Sequence, residues 1–309
     1  MSINVTTITP IKIFVDEKGN LSRSLDRLEI QFESLKKQLY VNLDIIVSDM
    51  STDPIAIRQL KAICSKHGVR YINTKTNLIF NKGLLLNVGI KNASNKSNFV
   101  CFLDLDLFYR RDVIKRCYDR FAETKKRVII GNTFYLDRKP ELKEINFANF
   151  KKFNNCSKHK SCAPGYAEGG LQFYEKSFLY RLNGCDERFN IWGGPDNEIL
   201  IRARRLGYET KAFYGSSKIF MLHIPHPIHH IPNLSKEISE RTRTINRVFY
   251  KHLRKGRLAD VSDSWGDEKN IFGPRLFGKD IYYGNEQEGY YDANIHDIEN
   301  IVSSRWVKQ

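Results

Sequence analysis

Apolar and polar positions alternate between two periods along the first part of the chain. Asn4–Ile8 is rich in β-branched residues and predicts a strand. In Ser22–Leu39, the residues Leu25, Leu28, Phe32, Leu35 and Leu39 recur at intervals of three and four, the spacing of one helix face. Leu43–Val47 is a short apolar run stopped by Ser48 and Asp49, the pattern of a strand buried on both sides. Pro54 opens a helix that runs to His67, and Gly68 stops it. Val69–Ile72 predicts a strand, Lys82–Ala93 a helix and Phe99–Leu103 a strand. Strands and helices in this order build an open, mostly parallel α/β sheet. Ligands of such sheets bind beyond the carboxyl ends of the strands. Asp49 and Asp104, each just after a strand, therefore fall on the functional edge.

After Thr133 the pattern is less regular. Glu141–Phe153 is expected to be helical, and Cys156–Gly170 is a basic, turn-rich loop. A strand at Leu171–Tyr174 and helices at Lys176–Leu182 and Pro195–Leu206 follow, the last with Gly207 at its end. Beyond Pro232 the character changes. Leu234–Leu253 predicts a basic helix, and residues 254–309 are rich in Gly, Tyr, Asp and Asn with little periodicity. The expected division is one α/β domain over 1–232 and a C-terminal extension over 233–309. Within the domain, about 1–110 would form the nucleotide half and about 111–232 the acceptor half.

Composition narrows the function classes. The chain has 309 residues, 41% of them hydrophobic, enough for a packed core. Its net charge of +15 points to an acidic partner: nucleic acid, an anionic membrane surface, or a phosphorylated or acidic-sugar substrate. The residues from Met1 to Pro10 do not read as a signal peptide. The chain has no run of about 18 apolar residues, so a membrane-spanning helix is not expected. The six Cys form no disulfide framework, which suits reduced thiols in a cytoplasm. Cys156 and Cys162 flank His159, but no second Cys pair completes a zinc site, so the stretch reads as a basic loop.

Three stretches carry chemistry. Asp104-Leu105-Asp106 follows the apolar run Val100–Leu103. Two carboxylates delivered by a strand end can hold a divalent cation that bridges phosphates. A turn at a strand end would need no such role. His223, His226, His229 and His230 place four of the eight His within eight residues, and imidazole ligates Mn-like or Zn-like ions. In Trp192-Gly193-Gly194-Pro195-Asp196-Asn197-Glu198, the glycines permit close backbone approach to a ligand. Asp196 and Glu198 then lie at a helix N-terminus, which favours acidic side chains. A carboxylate there can serve as a general base toward an acceptor hydroxyl.

Phe80 to Gly89, F-N-K-G-L-L-L-N-V-G, resembles the F-N-R-x-K-L-L-N-V-G segment of β-1,4-galactosyltransferases. Phe102 to Leu107 is similar to their D-V-D-L metal motif. Gly169-Gly170-Leu171 with Leu182-Asn183-Gly184 resembles their G-G-V…I-N-G stretch, and Trp192–Glu198 resembles W-G-G-E-D-D. Related W-G-G-E motifs occur in bacterial chondroitin-type polymerases and polypeptide N-acetylgalactosaminyltransferases. The motifs run in order from about Leu43 to Pro227. Two positions depart from the pattern: Pro195 stands in place of the motif's first Glu, and Asn197 in place of its last Asp.

The resemblance implies a GT-A fold, a UDP-sugar donor and Mn²⁺ (or Mg²⁺) as cofactor. By position it makes Asp106, His223 and His226 the metal ligands, with Asp104 nearby. Asp196 takes the place of the catalytic base. Asp49, Lys82, Asp104, Trp192, Gly193 and Gly194 would meet the donor. Gly170, Trp192, Asp196 and Glu198 would meet the acceptor, an oligosaccharide or lipid-linked glycan. The implied activity is inverting transfer of a hexose or N-acetylhexosamine, in synthesis of a bacterial surface polysaccharide.

A retaining transferase is the alternative, since the W-G-G motif also occurs in retaining relatives. A nucleotidyltransferase lacks support, because no Gly-rich phosphate loop is visible. A nucleic-acid-binding protein would explain the charge but not the three motifs together, so no nucleic-acid partner is expected. Lys236, Arg241, Arg243, Arg247, Lys251, Arg254, Lys255 and Arg257, against only Glu237 and Glu240, would dock a cytoplasmic protein on the anionic inner membrane face.

Overall fold

The computed structural model describes residues 2–15, 24–76, 80–124, 128–150, 157–158, 170–189, 195–207, 210–212, 219–225, 246–247, 250–251, 253–255 and 265–266. The first third follows the alternation read from the sequence. It runs β1 (Ile3–Ile11), α1 (Ser24–Lys36), β2 (Val41–Asp49), α2 (Pro54–His67), β3 (Arg70–Asn73), α3 (Lys82–Lys91) and β4 (Phe99–Leu103). The ends of α2 show why local chemistry placed it well. Asp53 Oδ1 accepts from the Ile55 and Ala56 N–H groups at 2.8 and 2.9 Å. Gly68 closes the helix at φ 65°, a left-handed conformation that glycine adopts without Cβ strain.

Among the described residues, seven more strands and three helices follow: β5 (Leu107–Tyr109), α4 (Val113–Thr124), β6 (Val128–Ile130), β7 (Asn132–Tyr135), β8 (Ser157–Lys158), β9 (Leu171–Glu175), α5 (Lys176–Arg181), α6 (Pro195–Arg205), β10 (Thr210–Ala212) and β11 (Phe220–His223). The main sheet has seven strands in the order β10-β6-β9-β4-β1-β2-β3. It is mostly parallel, with β9 antiparallel to both β4 and β6. A second sheet of four strands has the order β5-β11-β7-β8.

The main sheet buries both faces, as the period of two along each strand requires. In β4, Val100 and Phe102 join one apolar cluster with Ile8, Ile90, Phe178 and Leu200. Cys101 and Leu103 join the cluster on the opposite face with Leu35, Ile114 and Phe173. The α3 helix lies so close to β1 that a Cβ at Gly89 would overlap the Ile8 side chain. Cys64, Cys101, Cys117 and Cys185 are buried free thiols.

Three regions differ from the sequence reading or fall outside the described residues. Glu141–Phe153 was expected as a helix; among its described residues, 141–150, the helical element is a 3-10 turn at Leu142–Glu144. Ile145, Phe147 and Phe150 instead pack on Phe108, Leu222 and Ile224 of the second sheet. The Phe147 carbonyl accepts from the Arg111 N–H, so the backbone bonds outward rather than along a helix. Ser157 and Lys158, expected within a loop, form an edge strand paired with β7. Leu234–Leu253 lies mostly outside the described residues, as does the expected boundary at 232. Among the described residues, no helix is long and apolar enough to cross a membrane.

Candidate functional site

At its carboxyl end, β4 hands the chain to the second sheet. The turn Asp104–Asp106 makes that crossing, and β5 begins at Leu107. Antiparallel pairing of β5 with β11 sets His223 opposite Leu107. This register brings His223 Nε2 to 3.2 Å from Asp106 Oδ2. The Ile224 N–H donates to the Asp106 carbonyl at 2.8 Å, which locks the two segments together. The Tyr135 ring covers the imidazole, with centroids 4.4 Å apart. Two of the expected metal ligands are therefore neighbours. Among the described residues, no group of three His, Cys, Asp or Glu is placed to hold a metal ion. The expected third ligand, His226, lies outside them.

Lys82 joins two other expected residues. Asn81 caps α3 by accepting the Leu84 N–H at 2.8 Å, which places Lys82 at the first helical position. Its Nζ donates to Asp104 Oδ1 at 2.5 Å and to Asp196 Oδ1 at 2.6 Å. Burial disfavours the ammonium, but Asp104 and Asp196 more than offset it, so Lys82 holds its proton more tightly than an ordinary lysine. For Asp104 the balance runs the other way. Burial, together with Asp196 and Asp106, raises its proton affinity despite the pull of Lys82. Three carboxylates thus converge at a place where one ammonium is the close counter-ion of two of them.

Asp49 ends β2 at the same edge and is fully buried. Its carboxylate accepts from the Ser51 hydroxyl at 2.6 Å, the Tyr71 hydroxyl at 2.5 Å and the Asn73 amide at 2.9 Å. Burial and the Asp49 carboxylate push the Tyr71 phenol well above its usual range. Gly170 is also buried, and a Cβ there would press on Leu107 and Thr133. Its carbonyl accepts from the Asp104 N–H at 3.2 Å. Gly170 therefore packs against the Asp104–Asp106 turn.

Glu198 was expected at the acceptor too, but it has no exposed surface. It is ion-paired with Arg202 at 2.7 Å and accepts from the Asp186 N–H at 2.8 Å. Burial raises its proton affinity against the pull of Arg202. As placed, it can reach an acceptor only if α6 moves. Trp192, Gly193 and Gly194 lie outside the described residues.

This arrangement of edge carboxylates on an α/β sheet can be set beside known families. A model described as glycosyl transferase family 2 matches residues 23–179. The chain belongs to glycosyl transferase family 2. A model described as the N-terminal domain of galactosyltransferase also matches, over residues 150–227. Mouse (Mus musculus) chondroitin sulfate synthase 3 is 24% identical over 199 residues, which is 63% of this chain and 22% of that protein. The chain thus spans about a fifth of the length of that curated relative.

The fold is GT-A-like. Staphylococcus aureus TarS 1-349 in complex with UDP-GlcNAc aligns with a TM-score of 0.54 at 14% identity, covering 85% of this chain and 69% of that one. The catalytic domain of Drosophila β1,4-galactosyltransferase 7, in complex with xylobiose, aligns with a TM-score of 0.47 at 15% identity, covering 78% and 79%.

In this family 2 glycosyltransferase, the sequence reading passed over Gln31. It sits on α1, fully buried. Its Nε2 donates to the Asp104 carbonyl at 2.5 Å, and its Oε1 accepts from the Thr9 hydroxyl at 3.0 Å. Gln31 therefore ties the Asp104–Asp106 turn to α1 and β1. A polar residue on an apolar helix face was the available signal. Gln31→Met keeps the volume and removes these two bonds and the longer one from Nε2 to the Tyr109 hydroxyl at 3.4 Å. It is expected to cost about 1–3 kcal/mol, the scale for buried polar groups left without partners, and a urea-denaturation series would measure the loss.

Proposed function

We propose that this glycosyltransferase moves a hexose or N-acetylhexosamine from a UDP-sugar to a glycan acceptor, with a divalent metal and with inversion at the anomeric carbon. The observation that carries this reading is the meeting of Asp104, Asp106, Lys82, Asp196 and His223 at one sheet edge. The UDP-GlcNAc bound to the TarS structure of similar fold suggests the donor class.

The residues fit Mn²⁺ or Mg²⁺. Asp106 and His223 offer an oxygen and a nitrogen donor side by side. Asp104, Asp106 and Asp196 together carry more negative charge than Lys82 balances, which favours a cation there. Asp106 and His223 would hold the metal, with His226 as the expected third ligand. When bound, the metal would supply Lewis-acid stabilisation of the diphosphate.

The chain's own groups do the rest. Asp49, buried behind Tyr71 and Asn73, would shape the uracil or ribose site through those partners. Lys82, which pairs with Asp104 and Asp196 in the free protein, would exchange one carboxylate for a donor phosphate. Asp196 would take the proton of an acceptor hydroxyl. The hydroxyl oxygen bonds to the anomeric carbon as the bond from that carbon to the phosphate oxygen breaks, and the electron pair leaves with UDP. The acceptor we propose is an oligosaccharide or lipid-linked glycan of a bacterial surface polysaccharide. The basic stretch from Lys236 to Arg257 would bring the enzyme to the anionic membrane that carries it.

Thermal melting with a panel of UDP-sugars, with and without Mn²⁺, tests the reading. A ligand at about 100 times its Kd stabilises the native state by about 2.7 kcal/mol. At least one donor is expected to raise the melting temperature only with metal and to be hydrolysed slowly. No shift with any donor would overturn the proposal, and a product of retained configuration would move the chain to the retaining class.

A further inference from the structure

The network behind Lys82 and Asp196 is closed by a residue pair far along the chain. Asn87 of α3 is buried and bonds to the turn at Gly184–Glu187 three times. Its Oδ1 accepts from the Cys185 N–H at 2.7 Å, and its Nδ2 donates to the Cys185 carbonyl at 2.9 Å and to Glu187 Oε1 at 2.6 Å. The same Glu187 oxygen accepts from the Gly266 N–H at 2.7 Å. Trp265, only 3% exposed, belongs to the apolar cluster of the main sheet.

Two features show that Trp265 is fitted to this place. Gly184 has φ +66°, and a Cβ there would overlap the indole and the Asn87 amide. Only glycine lets the turn and the indole share that space. On the other side, Lys91 Nζ lies 3.9 Å from the ring centroid, a cation–π contact, and Tyr180 meets the indole edge-on at 5.3 Å.

The clamped turn touches both halves of the candidate site. The Glu187 carbonyl accepts from Asn81 Nδ2 at 2.7 Å, and Asn81 is the cap next to Lys82. The Asp186 N–H donates to Glu198 in the first turn of α6, two residues from Asp196. Displacing the turn therefore displaces the helix starts that carry Lys82 and Asp196.

We propose that Trp265 and Gly266 form a clamp that positions Lys82 and Asp196 from behind, which makes the C-terminal stretch a working part of the catalytic unit. The link to catalysis rests on the function proposed above, while the clamp itself can be tested without it. Trp265 is a positioning residue, since it lies behind the turn and not among the reacting groups.

Hydrogen exchange on the full chain reads the clamp directly. In Trp265→Ala, the Cys185 and Asp186 amides are expected to exchange at least about 10-fold faster, while amides of β1 and β2 keep their protection, because local opening sets exchange at each site. Trp265→Phe should restore most of the protection. Should Trp265→Ala fail to fold, Lys91→Met, which removes only the ammonium above the ring, should speed the same two amides by a smaller factor. Unchanged exchange at Cys185 and Asp186, or an equal rise across the whole sheet, would overturn the clamp. In an active chain, Trp265→Ala should lower kcat and raise donor Kd, because Lys82 and Asp196 are displaced together, and Trp265→Phe should rescue both. A loss of activity that only tracks the unfolded fraction would reduce Trp265 to a core residue. A wild-type chain that binds no UDP with metal would reject the proposed function, and the exchange pattern would still decide the clamp.

Discussion

Asp196→Asn is expected to leave donor binding intact and to lower transfer by about 10²–10⁴-fold, the scale of general acid–base catalysis. The amide keeps the shape of the carboxylate, and its oxygen can still accept from Lys82, which lies 2.6 Å from Asp196 Oδ1. What it loses is the capacity to take a proton. The neighbouring acid cannot replace it in place, because Glu198 is fully buried and held by Arg202. Calorimetric titration of UDP with metal and a turnover assay, run on the same preparation, separate binding from chemistry. Near-normal turnover would remove Asp196 from the mechanism. A large loss of donor affinity would instead show that Asp196 serves chiefly to hold Lys82 in place.

The third of the chain before Leu103 was legible because its signals are local. The α2 helix carries its own cap at Asp53, its proline at the first position and its stop at Gly68. The second sheet carries no such marks. Its strands β5, β7 and β11 have three or four residues each, and their pairing depends on partners far along the chain. Ile145, Phe147 and Phe150 read as a helix by their apolar character, yet the facing sheet claims them. The α4 helix could have been read, since Val113, Ile114 and Cys117 are buried at helical spacing.

The candidate site divides along the same line. The motifs named Asp104, Asp106, His223 and Asp196 as chemistry, and the family match agrees with that resemblance. Their arrangement was not readable. The Lys82 bridge depends on how α3 packs against α6 through the turn at Gly184–Glu187. The burial of Gly170 and Glu198 depends on Leu107, Met221 and Arg202, none of which adjoins them in sequence. Residue type points to chemistry, whereas exposure is decided by packing.

Asp106→Ala is expected to abolish the metal-dependent part of UDP binding. Two features make this substitution a clean one. The side chain is contributed by a turn whose hold on the fold is made by the backbone, since the Asp106 carbonyl accepts from the Ile224 N–H. The turn is secured again at Asp104, through Gly170 and Gln31. Removing the carboxylate therefore strips a ligand and leaves its support standing. Changes to groups that merely orient a metal ligand cost about 10–100-fold in affinity, so loss of a ligand itself should exceed about 100-fold. His223→Ala should act in the same direction. The double variant should lose little more than either single one, because residues that act as a unit are not additive. Titration of UDP with and without Mn²⁺ into the three variants measures these terms. Wild-type Mn²⁺-dependent affinity in Asp106→Ala would end the metal assignment at this turn. Additive losses in the double variant would place Asp106 and His223 in separate interactions with the donor.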